Sequence, residues 1–201
     1  LQEVLNTELG IRFSQDNALG TSNLEMMGMS GQNVKILIDG VPMVGRQGVS
    51  NEVNINQIDI NTIEKIEIIE GPMSVVYGAD ALAGVINIIT KNPKQVSGFS
   101  IQARVQEETV GESYSPLAGN GNHIRNISGS YTFKKPWKIG GGFTQNRFGG
   151  WKGKYTGRQF EWLPRDQDMG NFFVGTSFKG FDIDYALDIL SETITSYGPE
   201  N

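Results

Sequence analysis

Apolar residues follow two rhythms along this chain. In the first part they come as short runs: Val34 to Asp39, Ile63 to Ile69 and Val85 to Thr90, each rich in Ile and Val and bounded by turn residues. Runs of this length and composition predict buried strands. Ahead of them Leu1, Val4, Leu5 and Leu9 recur at helical spacing, which predicts a short amphipathic helix over 1–9 ending at Gly10. Asp39-Gly40 closes the first run, and Gly71-Pro72 closes the second and opens a short helix with Pro in its first turn. In that helix Val75, Val76 and Tyr77 are expected to pack on the sheet, and Gly78 to end it with positive φ. Ala79, Ala81, Ala83 and Gly84 then keep the backbone thin enough to pass close to another surface.

After Asn92-Pro93-Lys94 the runs give way to alternation. Residues 99–105, then Ile127, Gly129, Tyr131 and Phe133, then Trp137, Ile139, Gly141 and Phe143, place side chains of one character at every second position. The clearest segment sets Phe181, Ile183, Tyr185, Leu187 and Ile189 on one face and Asp182, Asp184 and Asp188 on the other. A fourth, less regular strand is expected over about 171–178. Between them the connections run long (111–122), short (134–138), long (149–169) and short (179–180), so every second connection lies at the same end. Alternating strands with one polar face describe a soluble β-sandwich as well as a membrane barrel. The long–short asymmetry and the aromatic strand ends Phe99, Phe133, Trp137, Phe178 and Phe181 favour the barrel.

Composition narrows the function classes. Seventeen basic against 22 acidic residues argues against nucleic acid as a partner, and the absence of cysteine removes thiolate metal sites. Twenty-six glycines point to turns and strands. No apolar run reaches the roughly 20 residues of a membrane helix, which leaves a barrel open. The absence of an initiating Met and the opening in mid-pattern suggest a piece of a longer chain.

Little in the chain looks catalytic. No nucleophile–base pair, paired carboxylates or phosphate loop stands out, and Gly140-Gly141-Gly142 opens no helix. An enzyme is not expected, and neither a cofactor nor a metal site is assigned. His123 is read as a solvated loop residue rather than a haem ligand. Asn51, Glu52, Asn54, Asn56, Asp59 and Asn61 offer oxygen donors, but their spacing is not that of an EF-hand, and turns and caps explain them. Asp182, Asp184 and Asp188 are read as lining a wet interior. The second long connection holds Trp151, Tyr155, Phe160 and Trp162 among Lys152, Lys154, Arg158 and Arg165. That mixture suits a flat, anionic or metal-chelated ligand, and equally an interfacial girdle.

The segments "VKILIDGVPM" (34–43) and "INTIEKIEIIEGPMSVVYGADALAGVINIITK" (60–91), with the helix before them, resemble the plug domain of TonB-dependent outer-membrane receptors. The resemblance covers most of 1–94 in order and spacing. It implies an α+β plug domain over 1–94, followed over 95–201 by about five antiparallel β-strands from the start of a 22-stranded membrane β-barrel. It further implies energy-coupled uptake of a scarce nutrient, an iron–siderophore chelate first, then haem or cobalamin. The implied partners are TonB, through a segment upstream of Leu1, a small chelate and outer-membrane lipid. The implied location is the outer membrane of a Gram-negative bacterium, with the plug facing the periplasm inside the barrel. In the family the loop after the LIDGV strand reaches towards the external vestibule, so Met43, Arg46 and Gln47 become ligand candidates beside Trp151, Tyr155 and Trp162; an ordinary connecting loop is the alternative for the first three. Met27, Lys65 and Glu70 stand where members often carry Arg, so the family's usual plug-to-wall ion pairs lack those arginines here. A soluble α+β domain joined to a β-sandwich that binds a polymer or surface partner remains the other reading.

Overall fold

The computed structural model describes residues 2–16, 21–43, 55, 58–91, 97–110, 120–134, 136–152 and 161–195. They fall into two compact units, one within Leu1–Asn92 and one within Pro93–Ser196.

The first unit is built around β4 (Val34–Ile38) and β7 (Gly84–Thr90), which pair in parallel from Val34↔Gly84 to Ile38↔Ile88. β5 (Val41–Pro42) flanks β4, and β6 (Ile63–Glu70) lies antiparallel to β7, giving the order β5-β4-β7-β6. The two central strands have cover on both faces, which is why they read as unbroken apolar runs. On one face Val34, Ile36, Ile86 and Ile88 are buried with Leu5, Ile11, Leu24, Met26, Ile55 and Ile58; Ile66 and Ile68 pack against them. On the other, Leu37 and Val85 meet Ala81, with Met73 and Tyr77 packed alongside. Burying one Ile or Leu side chain contributes about 1.5–3 kcal/mol, so this double-sided layer dominates the unit's stability.

Three parts of this unit differ from expectation. The first helix, α1 (Gln2–Leu5), spans four residues and gives way to turns before Gly10, because only Leu5 finds the core while Leu9 is exposed. A three-stranded sheet of β1 (Ile11–Asp16), β2 (Thr21–Met26) and β3 (Met29–Ser30) covers one face. Its polar sequence carries only Ile11, Phe13, Leu24, Met26 and Met29 as apolar inward positions, too few to announce it. In α2 (Ser74–Tyr77), Val75 is 98% and Val76 68% exposed, and only Tyr77 packs on the sheet. A single helical turn presents one side to the sheet, and here that side is Met73 and Tyr77.

The second unit is a five-stranded antiparallel meander, in the order β14-β13-β10-β9-β8. Its strands are β8 (Gly98–Glu108), β9 (Asn122–Thr132), β10 (Trp137–Phe148), β13 (Arg165–Phe178) and β14 (Phe181–Ile194). A short ladder of β11 (Trp151–Lys152) and β12 (Glu161–Trp162) extends from β10 and β13. The fourth long strand therefore begins at Arg165 rather than near 171. Register explains both the extra length and why the sequence hides it. Across the sheet, Ala103, Ile127, Phe143, Gly170 and Ile189 lie in one row of the apolar face. Two residues further towards the long connections the same face carries Val105, Arg125, Gln145, Asp168 and Ser191, and then Glu107, His123, Arg147, Asp166 and Thr193. Beyond the apolar band both faces are polar, so alternation disappears while hydrogen-bonded pairing continues.

Along β14 the band runs from Phe181 to Ile189, roughly 27 Å of strand, or about 21 Å along a barrel axis at a ~40° tilt. Phe99, Ile101, Val105, Ile127, Phe143, Phe172, Phe178, Phe181, Ile183 and Ile189 are all exposed on it. The opposite face carries Ser100, Gln102, Ser128, Ser130, Asn171 and Asp188.

Two glycines of the first unit separate two kinds of constraint. Gly78 has φ +92° with open space where a Cβ would stand, so a side chain there strains only the backbone. Gly84 has φ +150°, and a Cβ would collide with the Ile69 carbonyl oxygen and lie 2.7 Å from Met26 Cε. Gly78→Ala is expected to cost about 1–2 kcal/mol, and Gly84→Ala clearly more, because strand pairing at Glu70↔Gly84 must open. Urea midpoints of the two variants check this order.

Candidate functional site

Two places bring functional candidates together, one in each unit. In the first unit it is the β4–β5 hairpin. Asp39 and Gly40 both have positive φ (51° and 80°), the requirement of a two-residue type I′ turn. Asp39 is held there by its carboxylate, which accepts from the Thr90 N–H at 2.8 Å and the Thr90 hydroxyl at 2.6 Å. Asn87 Oδ1 accepts from the Gly40 N–H at 3.1 Å, and Asn87 Nδ2 donates to Glu67 at 3.1 Å. Glu67 in turn accepts from Lys65 at 2.6 Å. A polar chain thus ties the hairpin tip across β7 to β6.

Met43 leaves this platform with its N–H bonded to the Ile36 carbonyl at 2.9 Å and its half-buried side chain against the core. Its position is that of an anchor for the segment that follows. Arg46 and Gln47 lie outside the described residues, as do Asn51, Glu52, Asn54 and Asn56. Of the oxygen donors, Asp59 accepts from the N–H and side-chain amide of Asn61 at 2.9 and 2.8 Å, capping the 3-10 turn Ile60–Thr62. Turn formation accounts for these two residues.

In the second unit Trp151 and Trp162 stand opposite each other on β11 and β12, ring centroids 6.5 Å apart and edge-to-face. Trp162 also lies 6.3 Å from Phe148. Phe148 shares its row with Arg165 and Ile194 on the polar face of the sheet, and Arg165 is bound to Glu192. The aromatic group is therefore continuous with the polar face rather than with the apolar band. Tyr155 lies outside the described residues.

His123 is 4% exposed and sits on β9, not on a solvated loop. Its register partner Glu107 takes Nδ1, and the Asn120 carbonyl lies 3.1 Å from Nε2, so both ring nitrogens are engaged. The sequence offered no signal for this, since the pairing depends on strand register. On the polar face Asn126 donates to Thr144 Oγ1 at 2.7 Å, Asn146 to Gln167 at 3.3 Å and Gln167 to Glu192 at 2.6 Å, a ladder of amides across four strands. Among the described residues no cluster of His, Cys, Asp or Glu has a metal-holding arrangement.

Residues 1–85 match the family model for the TonB-dependent Receptor Plug Domain. Solved structures with similar folds include "Copper transporter OprC" (TM-score 0.76, 16% identity, 96% of this chain and 28% of that one). The FrpB iron transporter from Neisseria meningitidis follows with TM-score 0.68 and 16% identity, over 96% and 28% of the two chains. The siderophore receptor PirA from Pseudomonas aeruginosa gives 0.65 and 19%, over 96% and 32%. At such identities the likeness is one of fold, and the chain spans about three-tenths of the length of these proteins. Residues 1–85 are thus a TonB-dependent receptor plug domain, and the antiparallel strands after it have the same fold as the corresponding stretch of these solved proteins.

The Glu67 carboxyl is held below the ordinary carboxylate range, first by its hydrogen bond from Lys65 and then by that from Asn87; Lys65 is correspondingly raised by Glu67. A depressed carboxylate contributes stability above its unfolded pKa and loses it as pH falls through the folded one. Glu67→Gln is therefore expected to lower stability slightly at neutral pH, the pair being solvent-exposed. The difference from the parent should shrink as the pH falls below about 4. Urea midpoints at neutral and acid pH test the sign; a difference that grows in acid contradicts it.

Proposed function

We propose that the protein is an energy-coupled importer of the outer membrane, working by transport rather than catalysis. The observation that carries this is the plug domain followed directly by a sheet with an exposed apolar band on one face and a polar ladder on the other. In this reading the band meets lipid, the polar face lines the lumen, the tight turns lie on the periplasmic side and the plug occupies the interior. TonB supplies the energy through a segment outside these residues. The cargo is a metal chelate, an iron–siderophore complex before haem or cobalamin. Support comes from the similar folds of the siderophore receptor PirA, the FrpB iron transporter and the copper transporter OprC. The aromatic group Phe148, Trp151 and Trp162 on the polar side suits a planar or chelated ligand. The plug segment that Met43 anchors, with Arg46, Gln47 and Tyr155, completes the candidate contacts. A soluble binding module accounts less well for an exposed apolar band that ends in a charged row.

A strain lacking the gene, grown on defined iron–siderophore, haem and cobalamin sources, tests the cargo. Growth is expected to fail on the iron chelate, and removing TonB should have the same effect; unchanged growth on all three overturns the reading. Trp162→Ala should weaken ligand binding by about tenfold or more if it is a central contact, measured as uptake at limiting ligand. The membrane orientation has its own test in two adjacent residues of β14. Leu187 lies within the band and Asp188 on the polar face. A lysine at mid-bilayer on the lipid face costs about 2–4 kcal/mol, whereas a wet lumen tolerates it. Leu187→Lys is therefore expected to reduce the heat-modifiable folded fraction far more than Asp188→Lys. Equal folding removes the reason for choosing a membrane barrel.

A further inference from the structure

The two ends of the apolar band differ in charge, and the difference points to a partner. At the long-connection end the outward face carries both signs, mutually paired: Arg147 donates twice to Asp168 at 2.8 Å, and Arg125 lies 3.5 Å from Glu107. At the other end lie the two tight connections, one carrying Lys134 and Lys135 and the other Lys179. Lys179 and Gly180, with φ +49° and +85°, form the turn between β13 and β14, and Lys134 lies between β9 and β10. Phe133 N–H bonds to the Trp137 carbonyl and Ser177 N–H to the Pro136 carbonyl, which holds the second turn against the sheet.

Neither Lys134 nor Lys179 has a carboxylate within ion-pair distance among the described residues. Lys179 Nζ instead lies 5.3 Å from the centroid of Phe178, an exposed outward residue paired with Phe181. The acids nearby are turned away. Asp184 binds Lys138 at 2.7 Å on the polar face, a bridge possible because Gly175 between them has no side chain; Asp182 accepts from the Ser177 hydroxyl. Among the described residues the outward rim at this end is therefore aromatic, and the lysines of its turns have no carboxylate partner. Aromatic rings sit at headgroup depth, and long lysine stems carry the ammonium outward from apolar surface.

Resting on the membrane reading above, we propose that this rim is a docking surface for an anionic glycerophospholipid leaflet, with Lys134 and Lys179 contacting the phosphodiester headgroups. Each lysine near an anionic lipid surface strengthens attraction roughly fivefold at physiological salt, and the effect fades at ~1 M salt, where the screening length is about 3 Å. A zwitterionic headgroup presents its own cation as well as phosphate, so it gains less.

The test uses the full-length protein, with Pro136→Cys carrying a fluorophore, in phosphatidylcholine bilayers containing a minor fraction of phosphatidylglycerol. Brominated phosphatidylglycerol and brominated phosphatidylcholine are compared as quenchers. The expected result is stronger quenching by the anionic lipid, weakened roughly fivefold per lysine in Lys134→Gln and Lys179→Gln, retained in Lys134→Arg and Lys179→Arg, and suppressed by salt. Equal quenching by the two lipids, or a preference unchanged in the double Gln variant, overturns the proposal and leaves the rim to zwitterionic lipid or a protein surface. Heat-modifiability is recorded on the same samples. Folded protein without lipid preference defeats this proposal alone, whereas failure to fold in either bilayer defeats the membrane reading and the proposal with it.

Discussion

A strand turns successive side chains to opposite sides, and in the second unit that period of two does most of the organising. Five strands pair in one continuous register, so a residue's parity decides which solvent it meets. Phe181, Ile183, Tyr185, Leu187 and Ile189 share a face because they alternate, and the sheet aligns them with Phe172, Phe143 and Ile127 because pairing leaves no slip. A shift by one residue on any strand would send its apolar set among the amides and its charges into the band. The glycines fit the same requirement. Gly175 leaves room for Lys138 to reach Asp184 over the strand between them, and Gly140 lies beneath the Phe173 ring.

The first unit solves a different problem with the same element. β4 and β7 are enclosed on both sides, so parity there separates two apolar layers rather than an apolar face from a polar one. Polar groups fasten the hairpin from the strand ends, at Asp39 and Thr90, and from the middle of β7, at Asn87. A rigid turn at the edge of a tightly packed sheet offers positioning without reactive chemistry.

Much of this was readable from the residues alone. The runs 34–39, 63–69 and 85–90 are strands β4, β6 and β7 within a residue at either end; β4 and β7 are buried as their Ile and Val imply, whereas β6 is an edge strand that leaves Glu64, Lys65, Glu67 and Ile69 exposed. Gly78 has the positive φ its place after a helical turn implied. The tryptophans were legible as a pair of interest but not as a pair in contact. Their encounter depends on the short β11–β12 ladder, whose sequence has no alternation to reveal it. Val75 and Val76 misled because apolar character says nothing about which way a single helical turn faces.

What the sequence determined by itself is local: where apolar positions recur every second residue, where they run unbroken, and where glycine permits a left-handed turn. These follow from sterics and solvent preference acting on neighbours along the chain. Only the tertiary structure decided how far the strands continue past the apolar band, that β1, β2 and β3 cover the plug core, and that His123 is buried against Glu107. Each of these depends on groups well separated along the chain: Arg147 is 21 residues from Asp168, and Glu107 is 16 from His123. A polar residue's own surroundings in sequence cannot report a partner that strand register alone brings opposite it.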